Sequence, residues 1–181
     1  MNASEATVQA ALWYVALSVL GWIGYPILHR ACSVLPDGGL ALVRPAGLLL
    51  TIVPIWWLAD TFGLPYTASS IGLTAGIVGL AGWGYELARP QALPFLRRHG
   101  RLVFALEALS AAAFALYVFF RGFHPDIAYT EKPMDLALLS SAIRTERLPV
   151  PDPWFSGEPV NYYVLGYVLA ASLAKLTGTL P

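Results

Sequence analysis

Apolar residues run along this chain in long blocks, without the strict alternation of a half-buried strand. The blocks cover about residues 8–28, 40–59, 67–87, 102–120 and 160–176. A helix crossing the ~30 Å hydrocarbon core of a bilayer needs about 20 mostly apolar residues. The first four blocks meet that length and the fifth is the shortest. The pattern predicts an all-α polytopic membrane bundle of about five transmembrane helices. The first block is not a cleavable signal, because residues 1–7 hold one Glu and no Lys or Arg and the apolar run is too long for a signal core.

The blocks divide the chain into three parts: four spans over residues 1–121, a polar segment over 122–160, and a fifth span over 161–181. The polar segment holds six of the eleven acidic residues, Asp126, Glu131, Asp135, Glu146, Asp152 and Glu158. Pro133 suits a first helical turn, where its missing N–H has no partner to lose, so a helix is expected over about 133–147. Wound at 3.6 residues per turn, Met134, Leu136, Leu138, Leu139, Ala142 and Ile143 share one side, and Ser140, Ser141, Arg144, Thr145 and Arg147 the other. Such a helix lies on a membrane surface, apolar face down. Asp135 falls within the apolar arc, where a carboxylate is costly without a partner or a task. The plainer reading is that it balances the positive end of the helix dipole, stabilising by ~0.3–1 kcal/mol. Residues 148–159 are turn-rich, with four prolines and Gly157.

Composition closes off other classes. The 181 residues are 57% hydrophobic and 12% charged, about half the charge of an ordinary soluble domain. Eleven basic residues against eleven acidic ones leave no cationic surface for a nucleic-acid partner, and the single cysteine, Cys32, excludes a disulfide framework. The partner is the lipid bilayer. Lys and Arg mark cytoplasmic connections. Arg30 and Arg44 flank the first connection, and Arg89, Arg97, Arg98 and Arg101 crowd the third. Alternation puts the amino terminus and residues 122–160 outside the plasma membrane, and the carboxyl terminus with Lys175 inside. Trp13, Tyr14, Trp56, Trp57, Tyr66, Trp83 and Tyr85 are expected near helix ends as interfacial anchors. Gly72 and Gly76 form a small-xxx-small pair suited to close helix packing.

The runs Phe123-His-Pro-Asp-Ile, Thr130-Glu-Lys-Pro-Met-Asp135, Pro151-Asp-Pro-Trp154, Asn161-Tyr-Tyr163 and Gly166-Tyr167 resemble the Chlor-Arch YYY family of prokaryotic multi-pass membrane proteins. Leu35-Pro-Asp-Gly-Gly and the run from Ala41 to Leu50 look like its amino-terminal portion. Val164 stands where that family often has a third tyrosine. A span, an acidic loop with a surface helix, a proline-rich stretch and aromatics before the next span are also similar to the first outer loop of GT-C class glycosyltransferases. That likeness implies transfer of a sugar from a polyprenyl-phosphate donor on the outer face. It puts Glu131 and Asp135 at the acidic catalytic position, four residues apart here rather than adjacent. It also implies a longer parent chain continuing beyond Pro181, with this piece inactive alone.

The leading expectation is therefore the amino-terminal part of a GT-C-like enzyme. Asp135 is the central carboxylate, Glu131 its assisting acid or cation ligand, and Arg144, Asn161 and Tyr162 contact substrate. Each has a plainer alternative: Arg144 against lipid headgroups, Tyr162 as an interfacial anchor, Asn161 as a helix cap. His124 and Asp126 are of the types that bind a divalent cation, or are ordinary loop residues. Glu107, early in the fourth span, is either functional or paired with a loop arginine. The alternative class is a non-enzymatic membrane subunit or a lipid or polysaccharide translocation module.

Overall fold

The structure is a computed structural model and describes residues 3–123, 126–128 and 131–179. The described residues are helical apart from turns and one isolated bridge between Pro151 and Pro159. The helices are α1 (Ala3–Ala31), α2 (Val43–Phe62, after a 3-10 turn at Leu40–Leu42), α3 (Ala68–Ala88), α4 (Ala92–Arg98), α5 (Gly100–Gly122), α6 (Lys132–Arg144) and α7 (Val164–Thr177). Helices α1, α2, α3 and α5 are long and apolar enough to cross a membrane. No residue of α5 is buried, and Phe104, Leu109, Leu116 and Phe120 stand out from it, as expected of side chains that face lipid. The fifth expected span is different. Helix α7 has 14 residues, about 21 Å at 1.5 Å per residue, which is short of the ~30 Å core. Chain contacts divide the protein into two compact units: Met1–Leu50 with Ala75–Pro125, and Thr51–Thr74 with Asp126–Pro181.

In the first unit α1 is the common partner. A side chain on Gly47 of α2 would place its Cβ 2.2 Å from the Leu20 carbonyl and 2.4 Å from the Gly21 Cα, so two backbones meet where neither glycine has a Cβ. Gly79 and Gly82 of α3 lie against Ile23 and Ile27 of α1. The expected pair Gly72 and Gly76 meets nothing within 4 Å; the touching glycines lie farther along α3. Gly47→Ala should force α1 and α2 apart and cost at least the ~1–3 kcal/mol of an overpacked core. Gly76→Ala, in open space, should be neutral or stabilising when both are unfolded by detergent titration.

Below that crossing, Tyr25, Leu28, Leu40, Val43 and Ala92 form a buried cluster with Phe95, Leu102 and Leu106 packed against it. The return from α1 to α2 is held by Asp37, whose carboxylate accepts from Gly39 N at 3.2 Å and Ala41 N at 2.9 Å. The Ala41 amide is the larger cause holding the Asp37 carboxyl below its usual range. That stabilisation is complete above about pH 3.9, the unfolded value, and is lost as pH falls through the lower folded value. Asp37→Ala should cost about 1 kcal/mol at neutral pH, and the difference from wild type should vanish in acid. Gly38, at φ 57°, sits against buried His29, whose ring Nδ1 lies 3.0 Å from the Gly38 carbonyl.

Ion pairs also tie helices of this unit together. Arg30 meets fully buried Glu86 at 3.0 Å, and the other Glu86 oxygen accepts the Gln91 and Leu93 amides at 2.7 and 3.0 Å, tying α3 to the start of α4. Arg44 pairs with Glu107 and also donates to Ser18 Oγ and the Tyr14 hydroxyl. The partner of Glu107 is thus the arginine in the first turn of α2, reached across helices, and not one in the adjacent loop. Tyr14 is not near a helix end: it lies in the interior of α1, beneath the Arg44 guanidinium, while Trp83, in the last two turns of α3, donates to the Trp22 carbonyl at 3.1 Å.

In the second unit α6 packs on α7, burying Leu138 and Ala142 against the side of α7 that carries Val168, Ala171 and Ser172. The apolar stripe of α6 therefore faces another helix, which differs from the expected face-down contact with lipid. Tyr66, from the turn between α2 and α3, is fully buried; its hydroxyl donates to the Val168 carbonyl and lies 2.6 Å from Ser172 Oγ. Burial pushes that hydroxyl up to about 12. Its amide donates to the Glu146 carbonyl at 2.8 Å. Lys175 ends the series, donating to the Ile143 and Thr145 carbonyls at 2.8 Å each and standing 5.0 Å over the Tyr66 ring. These bonds satisfy carbonyls at the C-terminus of α6 that have no partner within the helix. They bring Lys175, expected on the opposite side from the 122–160 segment, into direct contact with that segment.

Candidate functional site

Asp135 occupies the first turn of α6, as its spacing behind Pro133 leads one to expect. Its side chain turns toward α7, where the Tyr167 hydroxyl donates to Asp135 Oδ1 at 2.6 Å. The helical wheel placed it on the correct side, but the carboxylate is exposed, not buried. Asp135 lies one turn before the packed residues Leu138 and Ala142, where the interface with α7 opens. Partial burial pushes the Tyr167 hydroxyl up to about 12, with Asp135 the next cause and Tyr162 and Glu131 smaller ones. Tyr167 therefore remains a proton donor to the carboxylate at neutral pH.

Glu131 is exposed at the N-cap of α6 and makes no side-chain capping bond. Lys132, on the same face as Asp135 by its i, i+3 spacing, reaches the Asp126 carbonyl at 3.4 Å. Tyr162 and Tyr163 are both exposed, with rings edge to face at 4.9 Å. Tyr163 is the N-cap of α7, which corrects the expected capping role of Asn161. Asn161 lies exposed beside the two rings.

Arg144 is not part of this grouping. Nine residues at about 100° each turn it about 180° from Asp135 and carry it about 13.5 Å along the axis. It lines a separate open groove of about 440 Å³ with Ser140, Ser141, Thr145, Pro151 and Pro153. A phosphate held by Arg144 would lie too far from Asp135 to be the leaving group of the same reaction. The groove wall is the turn-rich segment, closed by Val160 N to the Val150 carbonyl at 2.9 Å. In it Asp152 Oδ1 accepts the Trp154 and Phe155 amides at 2.8 and 3.0 Å, which makes Asp152 a turn residue.

His124, one of the two expected cation ligands, lies outside the described residues. Asp126 is exposed, and among the described residues no three His, Cys, Asp or Glu side chains converge as a metal site would require. Tyr167 and Tyr66, which carry polar contacts of the second unit, were not singled out as chemistry, and neither were Glu86 and His29 of the first unit. For Glu86 a signal was present, a carboxylate near the end of an apolar helix with Arg30 at the end of the helix two spans earlier. For the tyrosines there was none, since aromatics near helix ends have a sufficient reading as interfacial anchors.

The model of a family described as uncharacterised membrane protein, DUF2298, matches residues 50–181. That stretch includes the whole second unit. No curated protein and no solved structure matches the chain.

Proposed function

This chain belongs to the uncharacterised membrane protein family DUF2298, and we propose that it carries the acidic site of a GT-C-like sugar transferase working at the membrane surface. The observation behind this reading is an exposed carboxylate, Asp135, held by the Tyr167 hydroxyl at 2.6 Å, on a helix whose N-cap is Glu131 and against a helix that two exposed tyrosine rings precede. In the proposed step Asp135 takes the proton of an acceptor hydroxyl. That oxygen forms a bond to the anomeric carbon of a polyprenyl-phosphate sugar, and the carbon–oxygen bond to phosphate breaks, releasing polyprenyl phosphate. Lys132 is the cation placed to meet the departing phosphate. Glu131 assists by orienting the acceptor, and Tyr162 and Tyr163 offer flat apolar faces to the sugar ring. The polar groups of the second unit cluster in loops and short helices, and not on broken spans at mid-membrane as a translocator would place them.

The test is sugar transfer by the purified full-length protein in nanodiscs, supplied with polyprenyl-phosphate-linked sugars. Transfer supports the enzyme; a folded protein that binds no donor and transfers nothing supports the non-enzymatic membrane subunit. The reading also places the 122–160 segment outside the cell and Cys32, on the first connection, inside. A membrane-impermeant maleimide should leave Cys32 unmodified in intact cells and label it once the membrane is opened. Prompt labelling from outside would remove the acidic segment from the outer face.

A further inference from the structure

The first unit holds a groove of about 550 Å³ lined by Tyr14, Val15, Ser18, Val19, Trp22 and Ile23 of α1, Trp83 of α3 and Glu107 of α5. That volume lies within the ~300–1,000 Å³ of small-ligand sites. All three helices are candidate spans, so the groove opens at membrane depth, where its occupant comes from the lipid phase. Its walls are aliphatic and indole surface. The Trp83 indole N–H is already committed to the Trp22 carbonyl. One end is polar, and its chemistry is specific.

Arg44 neutralises Glu107 through the carboxylate oxygen Oε2, so the end carries no net charge. Among the described residues only that oxygen of Glu107 is engaged, and the carboxylate remains one-third exposed at the groove. The Tyr14 hydroxyl accepts from Arg44 at 2.7 Å, which leaves its own proton free to donate. Ser18 Oγ is occupied on both counts, accepting from Arg44 Nε and donating to the Tyr14 carbonyl. The end therefore offers one acceptor and one donor side by side. A hydroxyl is the group that both donates and accepts; a carboxylate only accepts, and an ammonium only donates.

We propose that this groove is a binding site for a long-chain lipid alcohol, with the chain along Val15, Val19 and Ile23 and the hydroxyl between Glu107 and Tyr14. An anionic head is repelled by the Glu107 carboxylate and a cationic one by the Arg44 guanidinium, and a bare alkane leaves both polar groups unpaired. The site uses none of the residues assigned to sugar transfer and stands or falls separately.

The experiment is photolabelling of the purified protein in nanodiscs with a diazirine-bearing C16 alcohol, mapped by mass spectrometry to the peptides of α1 and α3. Unlabelled hexadecanol should suppress that labelling at least tenfold more effectively than palmitate, hexadecylamine or hexadecane. Val19→Trp, which fills the groove without touching the ion pair, should reduce it at least tenfold. If Val19→Trp is not monodisperse, Val15→Trp blocks the same groove. Tyr14→Phe should narrow the preference for the alcohol over hexadecane. Equal competition by all four compounds, or labelling unchanged by the filling variants, would mean ordinary lipid contact and overturn the proposal.

Discussion

Replacing Glu86 with alanine should destabilise the protein by about 3–5 kcal/mol, the cost of leaving a buried charge without its partner. Glu86 is fully buried, receives Arg30 at 3.0 Å and accepts two amides at the start of α4. Its removal leaves the half-buried Arg30 guanidinium with only the Pro26 and Arg89 carbonyls and the Tyr85 ring, and frees the Gln91 and Leu93 amides. Detergent-induced unfolding followed by tryptophan fluorescence should show the loss as a lowered midpoint. Glu86→Gln keeps the shape and one acceptor and should cost less. The double replacement Arg30→Met with Glu86→Leu should recover much of the stability, because an apolar pair carries no desolvation penalty. A Glu86→Ala protein as stable as wild type would mean the pair adds nothing to holding α3 and α4 together.

Asp135→Asn should lower sugar transfer by at least ~10²-fold, the usual contribution of an acid–base group, while expression and folding stay normal. The carboxylate is exposed and its main partner is one tyrosine hydroxyl, so the stability change should stay within about 0.5 kcal/mol. Tyr167→Phe removes the hydrogen bond that orients the carboxylate and should reduce turnover by about tenfold, the equivalent of ~1.4 kcal/mol. Asp152→Asn keeps the oxygen that accepts Trp154 and Phe155 and should leave activity nearly unchanged. Arg144→Ala should also spare turnover, since the residue sits on the far side of α6. The measurement is initial rate against donor concentration. Near-normal turnover in Asp135→Asn would shift the catalytic role to Glu131, and silence of both would leave the segment structural.

The spans were legible because the bilayer imposes its requirement on each helix separately. Expected blocks at 67–87 and 102–120 correspond to α3 (Ala68–Ala88) and α5 (Gly100–Gly122) within two residues at each end. The surface helix was legible for the same local reason: Pro133 suits the first turn, and the apolar stripe ending in Ala142 repeats at helical spacing. The short helix α4 was not, since seven residues carry too little periodicity and its start depends on Glu86, which accepts two of its leading amides.

The polar contacts depended on residues far apart in sequence. Arg44 and Glu107 are separated by 63 positions, Tyr66 and Ser172 by 106, and Asp135 and Tyr167 by 32. An arginine near a helix end has the same local signature whether it snorkels to water or crosses to another helix, so counting charges cannot choose between them. The same holds for the glycines: Gly76 and Gly79 look alike in sequence, and only the position of Ile23 distinguishes them. Hydropathy and charge spacing established a helical membrane protein with a polar segment rich in acids, because those are properties of single elements against a fixed solvent. The separation of Arg144 from Asp135 follows from the pitch of one helix and was legible in the sequence. The partner of Asp135 and the contact of Lys175 with the end of α6 were decided by packing, because each requires two elements to close on one another in space.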